Sequence, residues 1–316
     1  MHERARDARR LVFGDRAFVR GVVEISNFCR ENCQYCGMRR DNRTLQRSRA
    51  RLEQLSELLI HRRPALLTDI NIQAGEDPVA AREIALPLVR ILRGETPLGI
   101  SVSLGTLDHA LYSELSEAGA AVYIMKFEVA NPGSYRRWQA PGNFSERLDH
   151  IRWLADNGWK VSSGFIVGLP GDEITDWLDC FRLAGELPLH GCSVSPFIPG
   201  ESTPVSNERQ GNLDTALNCI AALRLMRPHW VIPAVSALNL DPSGAGYQRG
   251  LDAGANLVTI NLTPQGFRDD YLIYKRDRVI MDEARVVSAL EAAGLAPSRQ
   301  GLVEFWKSGE SVKVAA

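Results

Sequence analysis

The chain has 316 residues, 45% of them hydrophobic, and a formal net charge of −1, which is enough apolar material for one large α/β core or two small ones. A balance so near neutral argues against a nucleic-acid binder, and no apolar run approaches the roughly 18 residues of a membrane span or forms a secretory leader. Six cysteines without a pairing pattern fit a reducing cytoplasm.

In chain order, Met1–Arg20, with Arg4, Arg6, Arg9 and Arg10, predicts a helix that closes the bottom or flank of the domain. Eight β-like segments follow: Gly21–Ser26, Thr68–Gln73, Gly99–Leu104, Ala121–Phe127, Lys160–Val167, Cys192–Pro196, Val231–Ser236 and Leu257–Asn261. Each is an apolar run too short for a helix. Amphipathic stretches such as Pro78–Leu92, Asp108–Glu117, Ser145–Asp156 and Leu213–Leu225 lie between them and read as helical crossovers between buried parallel strands. Asp282–Ala293 reads as a last helix before a tail to 316. Without a low-complexity linker, this alternation predicts a single domain over 1–316, a (β/α)8 TIM-type barrel. Its site belongs at the C-terminal ends of the strands.

Directly after the first segment comes Cys29-x3-Cys33-x2-Cys36. Three thiolates without a fourth can hold a [4Fe–4S] cluster and leave one iron open to a chelating ligand. A structural zinc would need a fourth Cys or His, and the nearest histidine, His61, lies 25 positions beyond Cys36. Cys180, Cys192 and Cys219 are scattered and read as small core side chains. The arginines around the loop, Arg30, Arg39, Arg40, Arg43, Arg47 and Arg49, read first as a solvated face, able also to neutralise thiolate or substrate charge.

Three further strand ends face the same way in a barrel. After the second comes Gln73-Ala74-Gly75-Glu76-Asp77, where a glycine permits close backbone approach and carbonyls or a carboxylate can receive an ammonium. The fourth ends in Lys126-Phe127-Glu128, and the fifth runs from Ser163 to Asp172 through Gly164, which reads equally as packing device or ligand contact.

The cysteine spacing resembles the signature of radical SAM enzymes, and the ordered motifs resemble the group containing the iron-only hydrogenase maturase HydE, biotin synthase and methylornithine synthase. The likeness is carried by Tyr35-Cys36-Gly37-Met38-Arg39-Arg40-Asp41-Asn42, Gln73–Asp77, Ser101–Gly105, Lys126–Pro132 with Tyr135, Ser163–Gly171, Ser195–Pro199, Ile232–Ala234, Gly254–Asn256, Asn261–Pro264 and Tyr271–Tyr274. It implies a [4Fe–4S] cluster on Cys29, Cys33 and Cys36, with S-adenosylmethionine (SAM) as cofactor. The methionine end of SAM would meet Gly75 and Glu76, its polar groups Glu128 and Arg147, and its adenine Tyr35. Lys126, Tyr271 and Tyr274 would anchor a small-molecule substrate, with Ser236 and Ser103 as secondary candidates. An electron donor such as flavodoxin or ferredoxin is implied; a nucleic acid or a membrane is not.

The chain departs from the maturase pattern toward the substrate end. It has Ala74 where the maturase has Ser, Val235-Ser236 in place of two Thr, and Lys275-Arg276-Asp277 in place of Pro-Gly-Lys. Losing a hydroxyl partner of a buried polar group costs about 1–3 kcal/mol, enough to change substrate preference. The resemblance implies transfer of a 5′-deoxyadenosyl radical to a cysteine-derived or organosulfur substrate as the expected activity. The alternatives are a paralogue of small-molecule biosynthesis that rearranges an amino acid or moves sulfur, and a non-catalytic iron–sulfur or zinc scaffold.

Overall fold

The computed structural model describes residues 1–240 and 244–308; the expected tail beyond 308 lies outside them. Strands form where the sequence places β-branched runs: β1 (Arg16–Ser26), β2 (Asp69–Ala74), β3 (Gly99–Ser103), β4 (Val122–Ile124), β5 (Lys160–Val167), β6 (Gly191–Pro196) and β7 (Leu257–Asn261). All pair in parallel in the order β6-β5-β4-β3-β2-β1-β7. A two-residue strand, β8 (Ala296–Pro297), joins the start of β1. Helices cover the outside, and the largest apolar cluster lies between them and the sheet.

The sheet curls into a partial barrel, a correction to the closed eight-stranded one. The expected seventh strand, Val231–Ser236, makes only single bridges, Gly191 with Val231 and Pro233 with Leu257, across the gap between β6 and β7. Pro233 has no N–H to donate, and from Ser236 the chain turns into a 3-10 helix, Ser236–Leu240.

Other boundaries shift for local reasons. The first helix is His2–Phe13, stopped at Gly14 with φ 61°, so β1 starts at Arg16, inside the stretch expected to be helical. Ser163 shortens β4: its hydroxyl donates to Met125 O at 2.7 Å and accepts from Phe127 N at 3.2 Å, replacing the ladder. Pro78–Leu92 is helical as expected but contains a π-turn, Ala81–Ala85, just before Pro87, whose ring a regular turn would meet. An unexpected helix, Leu302–Lys307, plugs the base of the barrel. Its Leu302 packs with Phe18, Val231 and Leu257, and Leu302 N donates to Asp69 Oδ2 at 3.0 Å.

Candidate active site

The loop after β1 has no regular secondary structure, so its backbone needs other partners. Side chains supply them. Asn27 Nδ2 donates to Gln46 O (2.7 Å) and Asp270 O (2.9 Å), while its Oδ1 accepts from Ser48 N (2.7 Å). Arg47 gathers the carbonyls of Asn27 (2.5 Å), Met38 (2.8 Å) and Arg39 (2.6 Å). Arg49 forks onto Asp77 at 2.7 and 3.0 Å, and Asp77 also accepts from Ser26 Oγ at 2.6 Å. The arginine run is therefore partly a built-in scaffold, a correction to the solvated-face reading.

This frame holds Cys29, Cys33 and Cys36 along one cavity wall. Burial pushes all three thiols up, Cys36 to about 12, and Cys33 is raised further by Cys36 and Cys29. Glu76 N donates to Cys29 Sγ at 3.4 Å. A side chain at Gly75 would run into Phe28 O and Cys29 Cβ, so only glycine lets the end of β2 approach the loop this closely. By contrast Cys180, Cys192 and Cys219 are buried in the core, and Gly164 is a packing device against Ser193.

Opposite the thiols, Arg147 is only 5% exposed although it lies in the first turns of Phe144–Asp156, whose N-cap Asn143 accepts from Ser145 N at 3.0 Å. Arg147 Nη1 donates to Glu76 Oε1 at 2.8 Å and Nε to Lys126 O at 2.5 Å. Burial opposes its charge, but Glu76, Tyr135 and Glu128 together raise its pKa. Glu76 also faces Arg30 at 3.4 Å and Thr106 Oγ1 at 3.1 Å. Glu128, in a left-handed conformation with φ 65°, brings its carboxyl to the same wall; burial raises its pKa against the lowering by Lys126 and Arg147. The Tyr35 hydroxyl is buried without a hydrogen-bond partner.

Below this mouth, of about 230 Å³, the cavity continues into the barrel as a second chamber of about 180 Å³. Gln73, Ser103, Lys126 and Tyr274 line both. Lys126 Nζ donates to Ser195 Oγ at 3.3 Å. Tyr271 stays at the mouth and Ser236 in the lower chamber, so the five expected substrate residues spread along the cavity. Ala74 lines the mouth and Val235 the chamber, whereas the Lys275-Arg276-Asp277 departure lines neither. Arg276 instead binds Glu201 through its own N–H, at 2.7 Å, and pairs with Asp270 at 3.3 Å.

A profile of the radical SAM superfamily matches residues 23–184. The FeFe-hydrogenase maturase subunit HydE of Thermotoga maritima is 32% identical over 300 residues, covering 93% of this chain and 86% of that relative. The chain belongs to the radical SAM superfamily. The 3-methylornithine synthase of Methanosarcina barkeri is 29% identical, covering 95% of this chain and 85% of the relative. A crystal structure of methylornithine synthase superposes with a TM-score of 0.82 at 29% identity, over 94% of this chain and 88% of that one. Radical SAM membership makes the chain an enzyme and implies SAM and a [4Fe–4S] cluster.

The residues present fit both groups. Cys33 is buried and Cys29 and Cys36 half-buried; as thiolates they would repel one another, and a bound metal would displace their protons and offset that charge. Among the described residues no three His, Cys, Asp or Glu converge on a single ion, whereas a cubane takes each thiolate on a different iron. The partnerless Tyr35 hydroxyl, on the lining of the same cavity as the thiols, suits a bound ligand there.

Sequence reasoning missed the polar wall of the lower chamber. Arg20 and Glu24 alternate with Val22 along β1, so period two turns all three inward. Arg278 Nη2 meets Glu24 at 3.0 and 3.2 Å, and Asn261 Nδ2 donates to it at 3.3 Å. Charged residues at alternate positions of an apolar strand were the available signal.

Proposed function

We propose that this chain is a HydE-like radical SAM enzyme that cleaves SAM reductively and delivers a 5′-deoxyadenosyl radical to a small cysteine-derived or organosulfur substrate. The carrying observation is the continuity of the cavity from the three thiols, past Glu76, Arg147 and Glu128, into a polar chamber. Cys29, Cys33 and Cys36 hold the cluster through three of its irons. When bound, cluster and SAM supply the one-electron and radical chemistry that no side chain offers.

The protein's part is positioning. Gly75 and Glu76 receive the methionine ammonium, Arg147, whose Nε and Nη1 already donate to Lys126 O and Glu76, offers its remaining N–H groups to the carboxylate, and Glu128 and Tyr35 take the ribose and adenine end. Lys126, Tyr271 and Tyr274 hold the substrate, Ser103 and Ser236 add hydroxyls, and the apolar lining excludes water from the radical.

Anaerobic reconstitution tests the reading. About four irons and four sulfides per chain are expected, with 5′-deoxyadenosine detected by mass spectrometry on reduction with SAM. One zinc, or about eight irons, would overturn it. Replacing any one of Cys29, Cys33 and Cys36 by Ala should abolish SAM cleavage, whereas changes at Cys180, Cys192 or Cys219 should not.

A second reading, a paralogue acting on another amino acid or sulfur compound, is favoured by Ala74 and Val235, which line the cavity without hydroxyls. On this reading Ala74→Ser and Val235→Thr each strengthen binding of cysteine-derived carboxylates by about 0.5–1.5 kcal/mol, measured by titration. Full hydrogenase maturation by the unmodified chain would exclude it.

A further inference from the structure

One cation of the lower chamber has no partner and no part in the proposed chemistry. The charged side chains on the chamber lining are Arg20, Glu24, Lys126 and Arg278. Glu24 and Arg278 pair with each other at 3.0 and 3.2 Å, and Lys126 reaches Ser195 where the chamber joins the mouth. The Arg20 guanidinium has neither a hydrogen bond nor an ion pair among the described residues, and its Nε is buried.

Its strand neighbours explain why. In the parallel register Arg20 stands between Asp69 of β2 and Thr259 of β7, so the three side chains turn the same way. Asp69, the natural counter-ion, is held instead by the helix that plugs the base: its oxygens accept from Leu302 N at 3.2 and 3.0 Å and from Thr68 Oγ1 at 2.8 Å, and it does not line the chamber. Thr259 does. Burial pushes the Arg20 pKa down to about 10 while Asp69 raises it, so the group is still a cation at neutral pH. A cation kept from water without hydrogen bonds weakens a fold, and such a residue is characteristic of a binding site. Leu302 and Trp306 of the plugging helix close the chamber below. A molecule reaching down from the mouth passes Lys126 and meets Arg20 toward the base.

We propose that Arg20, with the Thr259 hydroxyl beside it, is an anion subsite that takes a carboxylate at the far end of the substrate, so that the substrate is an elongated acid with its reacting carbon toward the thiols. This rests on the enzymatic reading above. The planar guanidinium matches a carboxylate bidentately, and the threonine hydroxyl adds a donor. A substrate ending in an ammonium or an alkyl group would leave the cation stranded, so the subsite also selects against basic and neutral analogues of equal length.

The test titrates glutarate, and its neutral counterpart glutaramide, into cluster-reconstituted protein with SAM present, so that Arg147 is occupied. By calorimetry Arg20→Met should bind glutarate about tenfold or more weakly than the parent, the loss expected for a charged hydrogen-bonding partner, and Arg20→Lys should recover part of it. Glutaramide should not distinguish the three proteins. Thr259→Val should weaken glutarate binding by a smaller factor, and parental affinity there would remove the hydroxyl from the subsite. Without glutarate, Arg20→Met should unfold in urea no earlier than the parent, because the substitution breaks no bond. Equal glutarate affinity in parent and Arg20→Met, or no saturable binding by the parent, would overturn the proposal; so would a lower urea midpoint for Arg20→Met, which would make the arginine a structural support. Chloride or inorganic phosphate that displaced glutarate at equal concentration would overturn the substrate assignment in favour of a free anion. Failure of the parent to release 5′-deoxyadenosine with dithionite would sink the enzymatic reading instead, while the glutarate titration, which needs no turnover, still judges the subsite.

Discussion

Arg147 is a cation held inside the protein by one carboxylate and one carbonyl. Arg147→Met would leave Glu76 desolvated near Glu128, with the half-exposed Arg30 as its remaining charged partner at 3.4 Å. We expect a loss of about 3–5 kcal/mol, the usual penalty for stranding one member of a buried pair, read from urea denaturation, together with loss of SAM affinity by titration. A loss below about 1 kcal/mol would mean that Glu76 finds water instead. An arginine early in a helix reads as solvated, so only the family resemblance singled this one out. Arg47 and Arg49 were not legible at all, because their role depends on which carbonyls an irregular loop leaves without donors.

Among the elements, β1 does most to shape the site, since its inward face carries Arg20, Val22 and Glu24 and its end launches the thiol loop. Element type followed from apolar run length and amphipathic spacing. Ends were less legible where a side chain took over backbone pairing, as Ser163 does at β4, or where a proline interrupted it, as at Pro233. At the N-terminal edge of β5, His190 accepts from Val161 N at 3.3 Å and lies 3.4 Å from the Lys160 ammonium. Burial and then Lys160 push its pKa down to about 4. The folded state therefore binds fewer protons than the unfolded chain between about 4 and the ordinary histidine value of roughly 6.5. Stability should rise with pH across that window and fall on acidification. Denaturation midpoints at pH 5 and pH 7 check this, and the difference should shrink in His190→Gln.

At the scale of the molecule, two buried side chains reinforce the single bridges across the gap between β6 and β7. Arg224, 0% exposed, donates to the carbonyls of Gly254 (2.9 Å), Pro228 (2.7 Å) and Trp230 (2.8 Å) and to Asn256 Oδ1 (2.8 Å). Asn256 Oδ1 also accepts from Ile232 N at 2.8 Å, so the two side chains fasten the stretch that spans the opening. Arg224→Met should cost about 3 kcal/mol or more by stranding buried acceptors, measured as a lower denaturation midpoint. The eightfold alternation in sequence foretold a barrel but not this seam, because a bridge made by side chains has no period. The thiol loop has a longer-range dependence: Asn27 bonds Asp270 O at 2.9 Å, and Gly37 N bonds Ile273 O at 3.3 Å. A growing polypeptide carries the cysteines out of the ribosome long before those carbonyls exist. The loop can take its final shape only after residue 273 emerges, so iron and sulfide meet a finished binding site only from that point of synthesis on, and a nascent chain stalled earlier would present three unshielded thiols.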